Sequence, residues 1–236
     1  MWRWTRRRWL GASFAGLALG RGALAESPAP TPWLTDRRLP NEPERLTLTQ
    51  TYLDAHLPEP MVGTVDPIRM VPRVVVLHWT GSGSAEGAFQ TFAPARLSGR
   101  AELKGAGELN VAAHFIVHRD GQCWRILDER RVARHTIGLN HCAIGIENVG
   151  DGPLEGGGDA SLTRLQVERN VALVRGLVTR HPSIQWLIGH HEYRRMESTP
   201  LFAERNPSYR TTKIDPGDAF MAAVRAKLTD LRLSAP

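Results

Sequence analysis

Short apolar runs alternate with polar, turn-forming stretches along residues 74–228, and the spacing within each run identifies its element. Val74-Val75-Val76-Leu77-His78-Trp79-Thr80 is the sharpest. Branched apolar residues predict a buried strand, closed by a histidine and followed by the loop chemistry of Thr80-Gly81-Ser82-Gly83-Ser84. Residues 111–117 predict a second strand, Asp120-Gly121 a hairpin turn, and residues 123–127 a third strand. Residues 143–149 predict a fourth strand, and residues 184–189 a fifth that ends at His190. Between the strands the period changes. Phe89 and Phe92 share one face of a helix over 85–92. Val167, Val171, Val174 and Val178 form the buried face of a longer helix, opened by a Thr163/Gln166 capping box and stopped at His181-Pro182. Pro216-Gly217 opens a last helix that buries Phe220, Val224 and Leu228. Loops are predicted at 98–110, at 151–159 and from His191 to Pro216. The alternation predicts an α/β domain with a central mixed β-sheet flanked by helices.

Composition divides the chain. Nine of its sixteen prolines fall within residues 26–72, which predicts a Pro-rich arm over 26–70 with at most a short helix at 47–57. The compact domain is expected over 71–232. Residues 1–25 have the form of a twin-arginine-like signal peptide: Arg6-Arg7-Arg8-Trp9-Leu10, a short apolar run to Gly20, then Ala23-Leu24-Ala25. That run is too short to span a bilayer, so export to the periplasm or beyond, without a stable membrane anchor, is the expectation. The formal charge of +6 comes mostly from five arginines in this leader; the remainder carries 25 basic against 24 acidic residues. Nucleic acid is therefore excluded as the expected partner. Whether Cys123 and Cys142 form a disulfide depends on where their elements lie.

Two of the nine histidines close apolar strands directly. His78 or His190 alone suits a hydrogen-bonded strand cap. With Lys213-Ile214-Asp215-Pro216-Gly217 downstream, they form a His/His/Asp set that leaves one coordination position open, as a catalytic metal site requires. His190-His191-Glu192 comes off a strand and so is not the helical zinc motif. His190 continues the strand and is the expected ligand; His191 is a supporting or structural residue. Glu147 sits in an apolar strand, where an isolated carboxylate is costly. It is the candidate base, with a buried salt bridge as the alternative. Gly145, two residues earlier on the same face, is expected to leave space for a ligand. Lys213 shares a side with Asp215 in extended backbone and is expected near the metal, with a solvated surface position as the alternative.

These segments, with Asn110-Val111-Ala112-Ala113-His114-Phe115 and Arg134-His135-Thr136-Ile137-Gly138-Leu139-Asn140-His141, resemble the zinc-dependent N-acetylmuramoyl-L-alanine amidases. That family also includes phage T7-type lysozyme amidases and peptidoglycan recognition proteins. The resemblance spans about residues 65–230. It implies a peptidoglycan-recognition-protein-like amidase fold and Zn2+ held by His78, His190 and Asp215. It also implies Glu147 as the catalytic carboxylate and Lys213 as the oxyanion-stabilising cation. Asp215 in place of a cysteine, and Ala113 in place of a tyrosine, place the chain nearer the bacterial cell-wall recycling branch and give no tyrosine a role. The implied reaction hydrolyses the amide between the lactyl group of N-acetylmuramic acid and L-alanine, in peptidoglycan or muropeptides. A non-catalytic peptidoglycan-binding module and a zinc peptidase acting within the stem peptide are the alternatives. His114 and His135 are expected to order or line the cleft. Arg194, Arg195, Glu197 and Glu204 receive no role.

Overall fold

A computed structural model describes residues 31–58, 69–81, 83–155 and 161–236. The signal-peptide reading of 1–25 and part of the 151–159 loop lie outside them. The unit Pro32–Pro236 holds a six-stranded mixed sheet in the order β1-β4-β3-β5-β2-β6. Its strands are β1 Leu34–Asp36, β2 Val74–Trp79, β3 Phe115–Val117, β4 Cys123–Arg125, β5 Ala143–Asn148 and β6 Trp186–Gly189. The β3–β4 hairpin is antiparallel, and every other pairing is parallel. Helices α1 Glu42–His56, α2 Ala85–Phe92, α3 Ala101–Lys104, α4 Arg164–Arg180 and α5 Asp218–Ala226 complete the unit. Among the described residues no helix is long and apolar enough to cross a membrane.

Strand β2 is the spine. Val74, Val75, Val76 and Leu77 are wholly buried, with Val75 and Leu77 in one apolar cluster and Val74 and Val76 in another. This alternation follows from the two-residue period of a strand and puts His78 on the side of Val74 and Val76. Helix α4 carries the valine face read from the sequence: Val167 and Val174 are buried, while Val171 and Val178 pack at its margin. The capping box is formed, with Gln166 N–H bonded to Thr163 Oγ1 at 3.2 Å and Thr163 N–H to Gln166 Oε1 at 2.9 Å. The same helix buries a polar chain. Asn170 Nδ2 donates to Asn148 Oδ1 at 2.6 Å, and Asn148 Nδ2 donates to the His78 carbonyl at 3.0 Å.

The departures from the sequence reading have local causes. The segment read as an arm contains β1 and the fifteen-residue α1. Alongside Leu48, Tyr52 and Leu53, the inner face of α1 carries Arg45, Thr49 and His56, so its apolar stripe is broken. The second strand is shorter than predicted, because Val111 and Ala112 pair with Arg134 rather than with the sheet. The loop after His190 starts as a 3-10 run, His190–Ser198. There Glu192 accepts Gly189 N–H at 2.8 Å and is clamped by Arg225. The two cysteines are free, buried in separate apolar clusters. Burial pushes both thiols up to about 12.

Candidate active site

Strands β5, β2 and β6 are adjacent and parallel, and their carboxyl ends build the site. His78 is in register with Glu147. The last β2–β6 pair is Leu77 with Gly189, so His190 emerges one position further, beside His78. Three chemistry-bearing residues thus sit side by side at the ends of neighbouring parallel strands, the usual place for a cleft in such sheets. The fourth, Asp215, arrives on a loop. Its carbonyl is held by His191, from the backbone N–H at 2.8 Å and the ring Nδ1 at 3.0 Å. Of the adjacent pair, His190 therefore turns into the site and His191 anchors the loop.

Asp215 Oδ2 lies 3.1 Å from His190 Nδ1 and 3.4 Å from His78 Nδ1. The three residues are 2%, 7% and 8% exposed, and each offers a ligand atom within 4.8 Å of the others. Two imidazole nitrogens and a carboxylate oxygen fit zinc with a fourth position open. Their protonation fits as well. Burial, reinforced by His78, drives His190 down to about 4, so it is neutral at pH 7. Burial alone would raise the Asp215 carboxyl, but the charges and hydrogen bonds of His190 and His78 hold it well below the usual range. Neutral imidazole and ionised carboxylate are the forms that bind metal.

His135, which the sequence reading expected to order or line the cleft, completes this arrangement. Its Nδ1 lies 3.1 Å from His78 Nε2, and its Nε2 lies 3.1 Å from the Ala143 carbonyl. A carbonyl only accepts, so the network assigns the His135 proton to Nε2 and leaves Nδ1 as an acceptor. His78 then donates from Nε2, and its Nδ1 lone pair points at the metal position. Burial, followed by the neighbouring His78 and His114, holds His135 well below its ordinary range and therefore neutral. Gly145 makes this possible. A Cβ there would stand 2.9 Å from the His135 ring, so the space expected for a ligand belongs to an imidazole. His114 orders the same strand, accepting Gly145 N–H at 3.0 Å while its Nε2 donates to the Arg131 carbonyl at 2.8 Å.

The Glu147 carboxyl rises to about 7, chiefly through burial and further through the charge of Asp215, against the opposing pull of His78, Arg100 and Lys213. Among the described residues its buried Oε2 has no hydrogen-bond partner. Lys213 lines the same cleft of about 250 Å3, with Trp79, Arg100, Thr136, Tyr209 and Thr211. Tyr209 does reach the wall, but its hydroxyl is occupied by Arg134 at 3.0 Å. Tyr209 and Arg100 arrive on loops without a periodic signal, which is why the sequence did not mark them. A separate cavity of about 320 Å3, between α1 and residues 126–132, is lined by none of these residues.

A model of the N-acetylmuramoyl-L-alanine amidase family matches residues 68–218, more than half of the chain. The chain belongs to that family. Among curated proteins, the endolysin of Escherichia phage T7 is 36% identical over 89 residues, which are 38% of this chain and 58% of the endolysin. The chain therefore spans less than two thirds of that relative. A solved selenomethionine AmpD derivative shares 20% identity with a TM-score of 0.49, covering 83% of this chain and 94% of its own. The N-acetylmuramyl-L-alanine amidase AmiD from E. coli, solved with anhydro-N-acetylmuramic acid-L-Ala-D-gamma-Glu-L-Lys, shares 16% identity with a TM-score of 0.47, covering 77% and 67%. Within the family segment lie all five of the sequence-predicted site residues, His78, Glu147, His190, Lys213 and Asp215, and the fold brings them to one cleft.

Proposed function

We propose that this chain is a zinc-dependent N-acetylmuramoyl-L-alanine amidase that cleaves the amide between the lactyl group of N-acetylmuramic acid and L-alanine. The observation that carries the reading is the convergence of two histidine Nδ1 atoms and Asp215 Oδ2 beside a carboxylate with an unpartnered oxygen. His78, His190 and Asp215 would hold the metal, which when bound supplies Lewis acidity to the scissile carbonyl. Glu147 takes a proton from the attacking water and returns it to the leaving amine of L-alanine. A carboxyl titrating near 7 suits both transfers. Lys213 offers its ammonium to the oxygen that gains charge as the carbonyl becomes tetrahedral. The leader at residues 1–25 agrees with a substrate outside the cytoplasm.

Digestion of purified muropeptides followed by mass spectrometry tests the reading. Release of the intact stem peptide from the sugar, lost on zinc removal and regained on zinc addition, is the expected result. Cleavage between amino acids would instead establish a stem-peptide peptidase. Binding without cleavage would establish a recognition module. Running substrates with and without a 1,6-anhydro ring in parallel tests whether the chain acts as the recycling branch it resembles.

A further inference from the structure

The family segment begins at residue 68, yet helix α1, which precedes it, braces the back of the cleft. Tyr52 and His56 stack with ring centroids 4.1 Å apart, 4% and 5% exposed. Each holds one of the two loops that serve the site. Tyr52 Oη accepts from Asn140 Nδ2 at 3.0 Å, and Asn140 Oδ1 accepts the N–H groups of His135 at 2.9 Å and Thr136 at 2.7 Å. His135 is the residue whose ring meets His78. On the other side, His56 Nδ1 lies 2.9 Å from both Glu204 oxygens. The His56 carbonyl accepts Arg205 N–H at 2.7 Å, and the Leu57 carbonyl accepts Arg205 Nη2 at 2.8 Å. That stretch continues through Tyr209 to Lys213 and Asp215. Between the anchors, the Arg134 guanidinium lies over the rings of Tyr52 and Tyr209, 5.2 and 5.7 Å from their centroids.

Packing alone does not require this chemistry. The Glu204 side chain is 1% exposed, and a buried carboxylate against a histidine holds a helix less cheaply than apolar residues would. A satisfied buried polar network instead fixes one relative placement. Both nitrogens of His56 face acceptors, the Glu204 carboxylate and the Ala106 carbonyl at 3.0 Å, so the contact is specific in angle as well as distance.

We propose that α1 is a positioning element of the cleft, with Tyr52 setting the His135 loop and His56 setting the loop that carries Lys213 and Asp215. The inference rests on the zinc-amidase reading above. Tyr52→Phe deletes one oxygen and keeps the ring. In protein shown folded by circular dichroism, it is expected to raise the zinc dissociation constant, measured by chelator competition, about 10-fold. His56→Ala is expected to lower kcat about 10-fold with a smaller change in KM, because Lys213 acts on the transition state. Glu204→Gln, whose side-chain amide keeps a hydrogen-bonding group beside His56 Nδ1, is expected to stay near wild type where Glu204→Ala does not. Thr51→Ala, on the exposed face of the same helix, is the control. If Tyr52→Phe and His56→Ala bind zinc and turn over as wild type does, α1 only packs and the inference falls alone. If His56→Ala fails to fold, Tyr52→Phe and the Glu204 pair decide. A wild-type protein that binds no zinc overturns the zinc reading and this inference together.

Discussion

At residue scale the cleft sets function against stability at Glu147. Its carboxyl ionises near 7, against 4.5 ordinarily, so the folded state prefers it protonated. The sign follows: the ionised group costs nothing below pH 4.5, and its destabilisation grows until it is complete above 7. Glu147→Gln is expected to stabilise the metal-free protein by about 2 kcal/mol at pH 8 and not at pH 4, measured by urea unfolding. The same variant is expected to lose about 10²–10⁴-fold in kcat while zinc content, measured by atomic emission, stays at the wild-type level. His135→Phe keeps a ring but removes the acceptor for His78, and an increase of about 10-fold or more in the zinc dissociation constant is expected. His78, His190 and Asp215 were legible in the sequence because strand ends and a short downstream motif mark them. His135 was not legible as the partner of His78, since its role depends on a ring 57 residues away and on the missing side chain of Gly145.

At element scale strands β2 to β6 and α4 were legible, because branched apolar runs and a four-three-four valine spacing have few other solutions, while the three-residue β1 inside the segment read as an arm was not. Helix α1 was legible only in part, as the short helix expected at 47–57, because half of its inner face is polar. Boundaries also shifted where side chains competed for backbone partners. Asn110 Oδ1 accepts Val111 N–H at 2.9 Å, and the next residue pairs with Arg134, which delays the start of the second strand to Phe115. The polar link from α4 to the site gives a test. Asn148→Ala leaves Asn170 Nδ2 with one acceptor fewer and removes the donor to the His78 carbonyl. Denaturation is expected to show a loss of about 1–3 kcal/mol, with a weakened metal site as the accompanying change.

At the scale of the whole molecule the buried histidines govern the response to acid. Burial drives His114, His141 and His190 down to about 4, whereas in the unfolded chain they titrate near 6.5. The folded state therefore binds fewer protons between these values, and stability that is complete above 6.5 is lost as pH falls towards 4. Urea midpoints of the metal-free Glu147→Gln variant, which lacks the opposing carboxyl, are expected to drop steadily from pH 7 to pH 5. A flat profile over that range would show that these rings are not held neutral.

The register of β2 against its neighbours carries a further consequence. Because side chains alternate, a one-residue slip would turn His78 to the opposite face of the sheet and abolish the proposed metal site outright rather than weaken it. His78 and Glu147 are thus held in an all-or-none fashion by backbone pairing, and His190 follows directly on the last β2–β6 pair. Lys213 and Asp215 ride on a loop, where small shifts of chain change geometry by degrees. Gradual changes of geometry are therefore expected where Lys213 and Asp215 ride, while the β2–β5 register decides whether His78 and Glu147 share a cleft at all.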